Sequence, residues 1–148
     1  MASPDFFDFI ESLLLRPGIK IKPSVIKHML TEKASDGLCG IDRFQNAFTH
    51  KSFEENGLNY ELYEFIGDPI LNSFVVKYIR QRKPEIVSVS WLTRIKHYLI
   101  SKMACGVLAK KLGFFSHIRY GEEMKLDLLI QDEENEVFMS MLEDTLES

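Results

Sequence analysis

Apolar positions recur at the spacing of an α-helix along most of the chain, and no segment alternates convincingly with the period of a β-strand. Ser3 followed by Pro4 is a typical helix start, and apolar residues at helical spacing follow it as far as about Leu15. A second short helix is predicted to follow Pro23-Ser24, and a last one runs from about Val137 to the C-terminus. The pattern therefore predicts an all-α fold.

The longest periodic stretch covers residues 60–82, after a loop predicted around Asn56-Gly57. Its apolar residues surround nearly the whole helix, which is typical of a central, buried helix. A further helix is predicted from Ser88 or Ser90 to Gly113, where glycine provides a stop signal. We therefore expect a helical bundle around a central buried helix.

Composition limits what such a bundle can do. With 148 residues, 45% of them hydrophobic, the chain is long enough for one domain with a sizeable core. A net charge of -4 argues against a surface that binds phosphate everywhere, so any contact with nucleic acid must be local. Cys39 and Cys105 are too few for a disulfide framework, and no apolar run approaches the ~18 residues that span a bilayer. We expect an intracellular protein without membrane contact, either cytoplasmic or in a compartment that the sequence leaves unknown.

Three acidic residues lie on one side of the long helix. At about 100° per residue, Glu61, Glu64 and Asp68 fall within an arc of roughly 60°. Acidic residues on a helix are usually solvated, but here Phe65 and Val75 flank the stripe and make its surroundings apolar. Like charges in a partly desolvated site must be protonated or neutralised by a cation. The stripe therefore indicates a cation site.

The residue types also indicate which cation. No histidine cluster or cysteine pair accompanies the acids, which disfavours zinc, and hard oxygen ligands favour Mg²⁺ or Mn²⁺. Asp144 and Glu147 share a face of the last helix at i, i+3 and could complete the site from the opposite side. A solvent-exposed acidic pair is the alternative interpretation of these two residues.

Four ordered segments resemble motifs of the ribonuclease III family. Residues 61–68 (ELYEFIGD) resemble the signature ExLEFLGD, and residues 48–53 (FTHKSF) resemble (L/F)THxS(Y/F). Residues 92–113 resemble LxxxRxxLVSNxxLAxxAxxLG, and residues 142–147 (LEDTLE) resemble ADxxEA. The resemblance covers about residues 41–148. It implies the endonuclease-domain fold of that family.

The resemblance also assigns roles. The residues that it places around the catalytic metal are Glu64, Asp68, Asp144 and Glu147. Glu61 is implied as an outer acid of the same site, and Phe65 as a residue that enters a pocket on a partner subunit. The implied activity is Mg²⁺-dependent hydrolysis of double-stranded RNA by a homodimer, with Mn²⁺ as a substitute and no small-molecule cofactor. The implied products carry 5′-phosphate and 3′-hydroxyl ends.

A catalytically silent relative that binds RNA or forms dimers is the alternative function. It predicts the loss of one or more metal carboxylates, and all four are present. His50 could be imagined as a general base, but a single histidine in this setting is more often a hydrogen-bonding core or interface residue. Basic residues between Arg80 and Lys111 could meet phosphates along an A-form minor groove or form a solvated face. Individual RNA-binding residues stay unassigned.

Two departures from the family pattern matter. Pro69 follows Asp68 where a small residue is usual, and a proline inside a helix costs roughly 3 kcal/mol or introduces a kink. Glu147 is the penultimate residue, where a helix frays. We therefore expect a chain truncated at its C-terminal end, with weak RNA affinity or activity on its own.

The expected organisation has three parts. Residues 1–40 form a helical extension packed on the nuclease domain, residues 41–148 form the nuclease domain, and a double-stranded-RNA-binding domain follows downstream. The Asn59-Tyr60 pair before Glu61 resembles compact enzymes of some large DNA viruses. In that case the compartment would be the cytoplasm of the host.

Overall fold

The computed structural model describes residues 3–18, 20–53 and 58–148. The predicted loop at Asn56-Gly57 lies outside these ranges. The described residues form α-helices and two short 3₁₀ turns, at residues 114–117 and 122–124, with isolated β-bridges and no strand. The α-helices are α1 (Pro4–Leu14), α2 (Pro23–Thr31), α3 (Gly40–Ala47), α4 (Tyr60–Arg82), α5 (Val89–Leu99), α6 (Lys102–Leu112) and α7 (Glu136–Glu147). The all-α class is confirmed.

Helix α7 carries more of the core than α4 does. Five of the 12 residues of α7 are buried, including Phe138 and Leu142, which are almost completely inaccessible to solvent. Ile10 of α1 and Leu30 of α2 belong to the same apolar cluster. The first two helices therefore share one core with α7, while the domain boundary at residue 41 stays a prediction.

Helix α4 differs from the expectation of a helix buried on all sides. Only Tyr60, Val75 and Ile79 of its 23 residues are buried. Its exposed apolar side chains are Leu62, Phe65, Ile66, Ile70, Phe74, Val76 and Tyr78. The bundle touches α4 through α3, α5 and α7 and leaves the rest of its surface open. Periodicity predicted an apolar surface but could not tell whether this chain or another covers it.

The predicted helix from residue 88 to Gly113 is two helices. Ser101 separates α5 from α6: its hydroxyl donates to the Tyr98 carbonyl oxygen at 2.8 Å and accepts from the Ala104 amide at 3.3 Å. The predicted stop at Gly113 is confirmed, because this glycine adopts a left-handed φ of 81° and ends α6. Among the described residues, no helix is long and apolar enough to cross a lipid bilayer.

A parallel β-bridge fixes residues 48–50, which follow α3. The Arg119 amide donates to the Phe48 carbonyl oxygen, and the His50 amide donates to the Arg119 carbonyl oxygen, both at 2.8 Å. The Arg119 side chain also donates to the Thr49 hydroxyl, at 2.9 Å from Nε and 2.6 Å from Nη2. The Tyr60 amide donates to the Thr49 carbonyl oxygen at 2.9 Å. The bridge thereby anchors the first residue of α4.

Candidate active site

The acidic helices α4 and α7 approach each other closely at Gly67. A Cβ atom added there would overlap the carbonyl oxygen of Glu147. Glycine is the residue that permits such a backbone contact. Because Gly67 lies between Glu64 and Asp68 in sequence, the close contact brings the acids of α4 beside those of α7.

The predicted site residues divide between two adjoining clefts. Glu64, Asp68 and Glu147 line one open cleft, together with Phe65 and Pro69. Asp144 lines the neighbouring cleft, whose other polar side chains are His50, Lys51, Tyr60, Lys102, Glu136 and Ser140. Glu61 lies at the rim, where its Oε1 pairs with Lys51 Nζ at 3.4 Å. The structure therefore places all five predicted acids in one region, although not around a single point.

The acids influence one another across the helix contact. Burial, followed by the charge of Asp144, raises the pKa of Glu64 above its usual range. Burial and the charges of Glu143 and Asp68 raise the pKa of Glu147 to about 7. Burial also raises the pKa of Asp144, and a hydrogen bond from Tyr60 opposes that rise. Carboxyl groups whose pKa values are raised in this way are stabilised in their charged form by a nearby cation.

Two participants were missed by the sequence analysis. Glu143 precedes Asp144, and its own pKa is raised by burial and by the charge of Asp144. Its position directly before Asp144 in the sequence could have indicated this, but the family pattern ADxxEA has alanine there. Tyr60 lines the Asp144 cleft, and burial followed by the charge of Asp144 raises its pKa. Its position immediately before the acidic signature was the only signal. Both residues add to the electrostatics of the site.

Asp68 has a fixed neighbour on its own helix. Asn72 Nδ2 donates to Asp68 Oδ1 at 2.7 Å and to the Asp68 carbonyl oxygen at 3.0 Å. Lys96 Nζ from α5 donates to Asn72 Oδ1 at 3.2 Å. Helix α4 continues through Pro69 without interruption, so the proline does not end it. The carboxylate of Asp68 is thus oriented by Asn72.

The C-terminal end of α7 is held more firmly than its position suggested. The Ser148 amide donates to the Asp144 carbonyl oxygen at 3.0 Å, and Ser148 Oγ lies 3.1 Å from the Ala47 carbonyl oxygen of α3. These contacts restrain the helical turn that carries Glu147.

The carboxylate oxygens of this site are the type of ligand that a hard divalent cation prefers. Carboxylate oxygens are the preferred ligands of Mg²⁺, and burial raises the pKa of Glu64, Asp144 and Glu147, which favours a neutralising ion beside them. Within residues 3–18, 20–53 and 58–148, no three acidic, histidine or cysteine side chains converge closely enough to hold an ion. The assignment of individual ligands therefore stays a proposal.

Comparison with known proteins places these features in context. A family model described as the Ribonuclease III domain matches residues 61–148. Ribonuclease 3 of Zunongwangia profunda is 28% identical over 115 residues, which cover 65% of this chain and 47% of that protein. A putative ribonuclease 3 of Frog virus 3 is 35% identical over 83 residues, which cover 54% of this chain and 22% of that protein. The chain thus spans less than half the length of these relatives.

Solved structures agree on the fold. The nuclease domain of ribonuclease III from Campylobacter jejuni matches with a TM-score of 0.62 at 23% identity, over 82% of this chain and 77% of that one. That nuclease domain is described as flexible in a region involved in dimer formation. The match supports the arrangement of helices described above.

Proposed function

Because the chain belongs to the ribonuclease III domain family, we propose that it is a divalent-metal-dependent endoribonuclease that cleaves double-stranded RNA. The products would carry 5′-phosphate and 3′-hydroxyl ends. The observation that carries the proposal is the meeting of the acids of α4 and α7 at the Gly67 contact. Curated relatives named Ribonuclease 3 support the same activity.

The residues proposed to hold Mg²⁺ or Mn²⁺ are Glu64, Asp68, Asp144 and Glu147. When bound, the cation supplies Lewis-acid stabilisation of the charge that develops on phosphate oxygens during in-line attack by water. Positive charge beside Glu64 and Glu147 would oppose the burial and the repulsion by neighbouring acids that raise their pKa values. Glu61 stays at the rim, paired with Lys51.

The proposed substrate is a duplex, recognised by its shape and backbone. Lys51 and Lys102 line the Asp144 cleft and provide local positive charge beside the acids. An overall charge of -4 leaves little general affinity for phosphate, so binding would depend on such local contacts.

Metal dependence is the direct test of this proposal. We expect the purified chain to cut a long duplex RNA into short duplexes in Mg²⁺, at the low rate that the sequence predicts for it on its own, and to leave the RNA intact in excess chelator, because the acids need the cation to activate the phosphate. Denaturing gels and end-group analysis measure the products. Equal cutting in chelator would refute the metal mechanism. Binding without any cutting in Mg²⁺ or Mn²⁺ would favour the catalytically silent alternative.

A homodimer formed through α4 is part of the proposal. Phe65 is 80% exposed, and Ile70 and Phe74 extend the open apolar surface along the same helix. Monomeric proteins seldom expose large contiguous apolar patches, and such a patch commonly marks an interface. The C. jejuni nuclease domain, with its region involved in dimer formation, supports this interpretation.

We expect Phe65→Ala to weaken self-association at least about fivefold, because loss of a buried aromatic anchor typically costs more than about 1 kcal/mol. Sedimentation equilibrium measures the dissociation constant. Leu129→Ala is the matched control, since Leu129 is 73% exposed but lies in the loop before α7. An unchanged dissociation constant in Phe65→Ala would remove Phe65 from the interface.

A further inference from the structure

We propose that one exposed face of α5, formed by Trp91, Arg94 and Tyr98, binds unpaired RNA by stacking its bases on the two aromatic rings. We call these three residues the α5 face. This binding is separate from the proposed cleavage of duplex RNA, because the α5 face contains no acid and binding can be measured where no RNA is cut.

Helix α5 presents the three side chains on one side. They are spaced i, i+3 and i+7, so at about 100° per residue they fall within an arc of about 60°. Trp91 is 60% exposed and Tyr98 is 74% exposed. All 11 residues of α5 are described, and none of them is buried. Leu92 and Lys96 lie on another side of the helix, where they line a small cavity against α4. The α5 face therefore points away from that cavity.

The charge of the surrounding segment suits a polyanion. Residues 86–121 contain no aspartate or glutamate, and their basic residues are Arg94, Lys96, Lys102, Lys110, Lys111 and Arg119. With histidine counted as neutral, the segment has a formal charge of +6, so the rest of the chain carries -10 (-4 - 6). A local excess of lysine and arginine attracts the phosphates of a nucleic acid even where the net charge of the chain is negative. The α5 face thus lies in the basic part of an otherwise acidic chain.

Arg94 and Trp91 form a pair that suits an RNA strand. The Arg94 guanidinium carbon lies 5.5 Å from the centre of the Trp91 ring, which is a cation–π distance. An exposed indole ring stacks on any base, and the guanidinium group beside it can bind the adjoining phosphate. Tyr98 lies two helical turns further on, about 10 Å along the axis, and offers a second ring. A single strand that follows α5 therefore meets a ring, a cation and a second ring in turn.

Unpaired RNA fits the α5 face better than a duplex or a second copy of the chain does. In a duplex the bases are stacked inside the helix, and only unpaired bases can splay out onto aromatic side chains. Aromatic residues and arginine are also common in protein interfaces. Charge decides between these two occupants, since two copies that paired through this face would bring like charges together.

Trp91 is the only tryptophan of the chain, so its fluorescence reports directly on the α5 face. We expect a short oligoadenylate to quench this fluorescence in a saturable way, in excess chelator so that no RNA is cut. A blunt duplex of the same length should leave the fluorescence nearly unchanged, because its bases are not free to stack on the ring. Added salt should weaken the binding of oligoadenylate, because its phosphates contribute to the affinity.

Variants are compared by the fluorescence anisotropy of a labelled oligoadenylate. We expect Trp91→Leu to raise the dissociation constant at least about fivefold, which is the lower end for the loss of one stacked base, and Trp91→Phe to raise it less. Leu126→Ala is the control and should bind as wild type, because Leu126 is 78% exposed but lies outside the basic segment. Circular dichroism verifies that each variant is folded.

Three results would each overturn the proposed binding: unchanged fluorescence at the highest oligoadenylate concentration, equal quenching by the blunt duplex, or wild-type affinity in a folded Trp91→Leu. If Trp91→Leu weakens self-association in sedimentation equilibrium and leaves the RNA affinity unchanged, the α5 face is a protein interface and the proposal is wrong. A chain that binds oligoadenylate through Trp91 but never cuts duplex RNA would refute only the proposed endonuclease activity.

Discussion

Glu147→Gln is expected to lower the cleavage rate of duplex RNA by at least about a thousandfold, equivalent to about 4 kcal/mol of transition-state stabilisation, while RNA binding is retained. Glutamine keeps the shape of the side chain but removes its charge. Burial and four neighbouring acids raise the pKa of Glu147 to about 7, which makes it the group of the site most dependent on a compensating cation. Loss of its charge therefore removes metal affinity rather than the fold.

Glu133→Gln provides the charge-matched control, because Glu133 is exposed in the loop before α7. Single-turnover cleavage of labelled duplex measures the chemical step, and a mobility shift in Ca²⁺ measures binding. Because the variant lacks one negative charge that repels RNA phosphates, its affinity for duplex RNA should be equal to or slightly above that of wild type. If Glu147→Gln cuts as fast as Glu133→Gln, Glu147 is not a functional ligand.

Gly67→Ala is expected to destabilise the fold by about 1–3 kcal/mol, because the added methyl group would overlap the Glu147 carbonyl oxygen. The sign of the change in the free energy of unfolding is informative, since alanine in place of glycine normally stabilises a helix interior by roughly 0.5–1 kcal/mol. The overlap can be relieved only by separating α4 from the end of α7. That movement displaces Glu147, so cleavage should fall along with stability.

Ser73→Ala is the control on the same helix, because Ser73 is exposed and alanine there changes only local helix propensity. Urea unfolding followed by circular dichroism gives the free energies, and the cleavage assay is run on the same preparations. A Gly67→Ala protein that is more stable than wild type and equally active would contradict the close contact between α4 and α7.

Local signals predicted most helix positions. The starts of α1 and α2 and the stop at Gly113 follow from capping residues and proline, whose effects act within a few positions. The interruption at Ser101 was missed because Leu99 and Met103 continue one apolar period across it. A serine can cap a helix or lie within one, and the surrounding contacts decide between these states.

Tertiary contacts explain the remaining differences. The exposed surface of α4 could not be anticipated, since an apolar helix has the same pattern whether its own chain or a second chain covers it. The acids of α4 were predictable because Glu61, Glu64 and Asp68 share a helix face at fixed spacing. The position of Tyr60 beside Asp144 was not, because the two residues belong to helices that are far apart in sequence and meet only through the fold.

The bridge between Thr49 and Arg119 has a consequence for folding. Its partners are 70 residues apart, and the segment that they enclose contains α4, α5 and α6. Joining the ends of such a loop costs about 4 kcal/mol of chain entropy, so non-local contacts of this kind tend to form slowly. The proposed metal ligands are also far apart in sequence, Asp68 and Asp144 by 76 positions (144 − 68), so they too meet only through non-local contacts. In such a protein, cation binding is coupled to the native topology, and the cation concentration shifts the equilibrium between unfolded and folded chains.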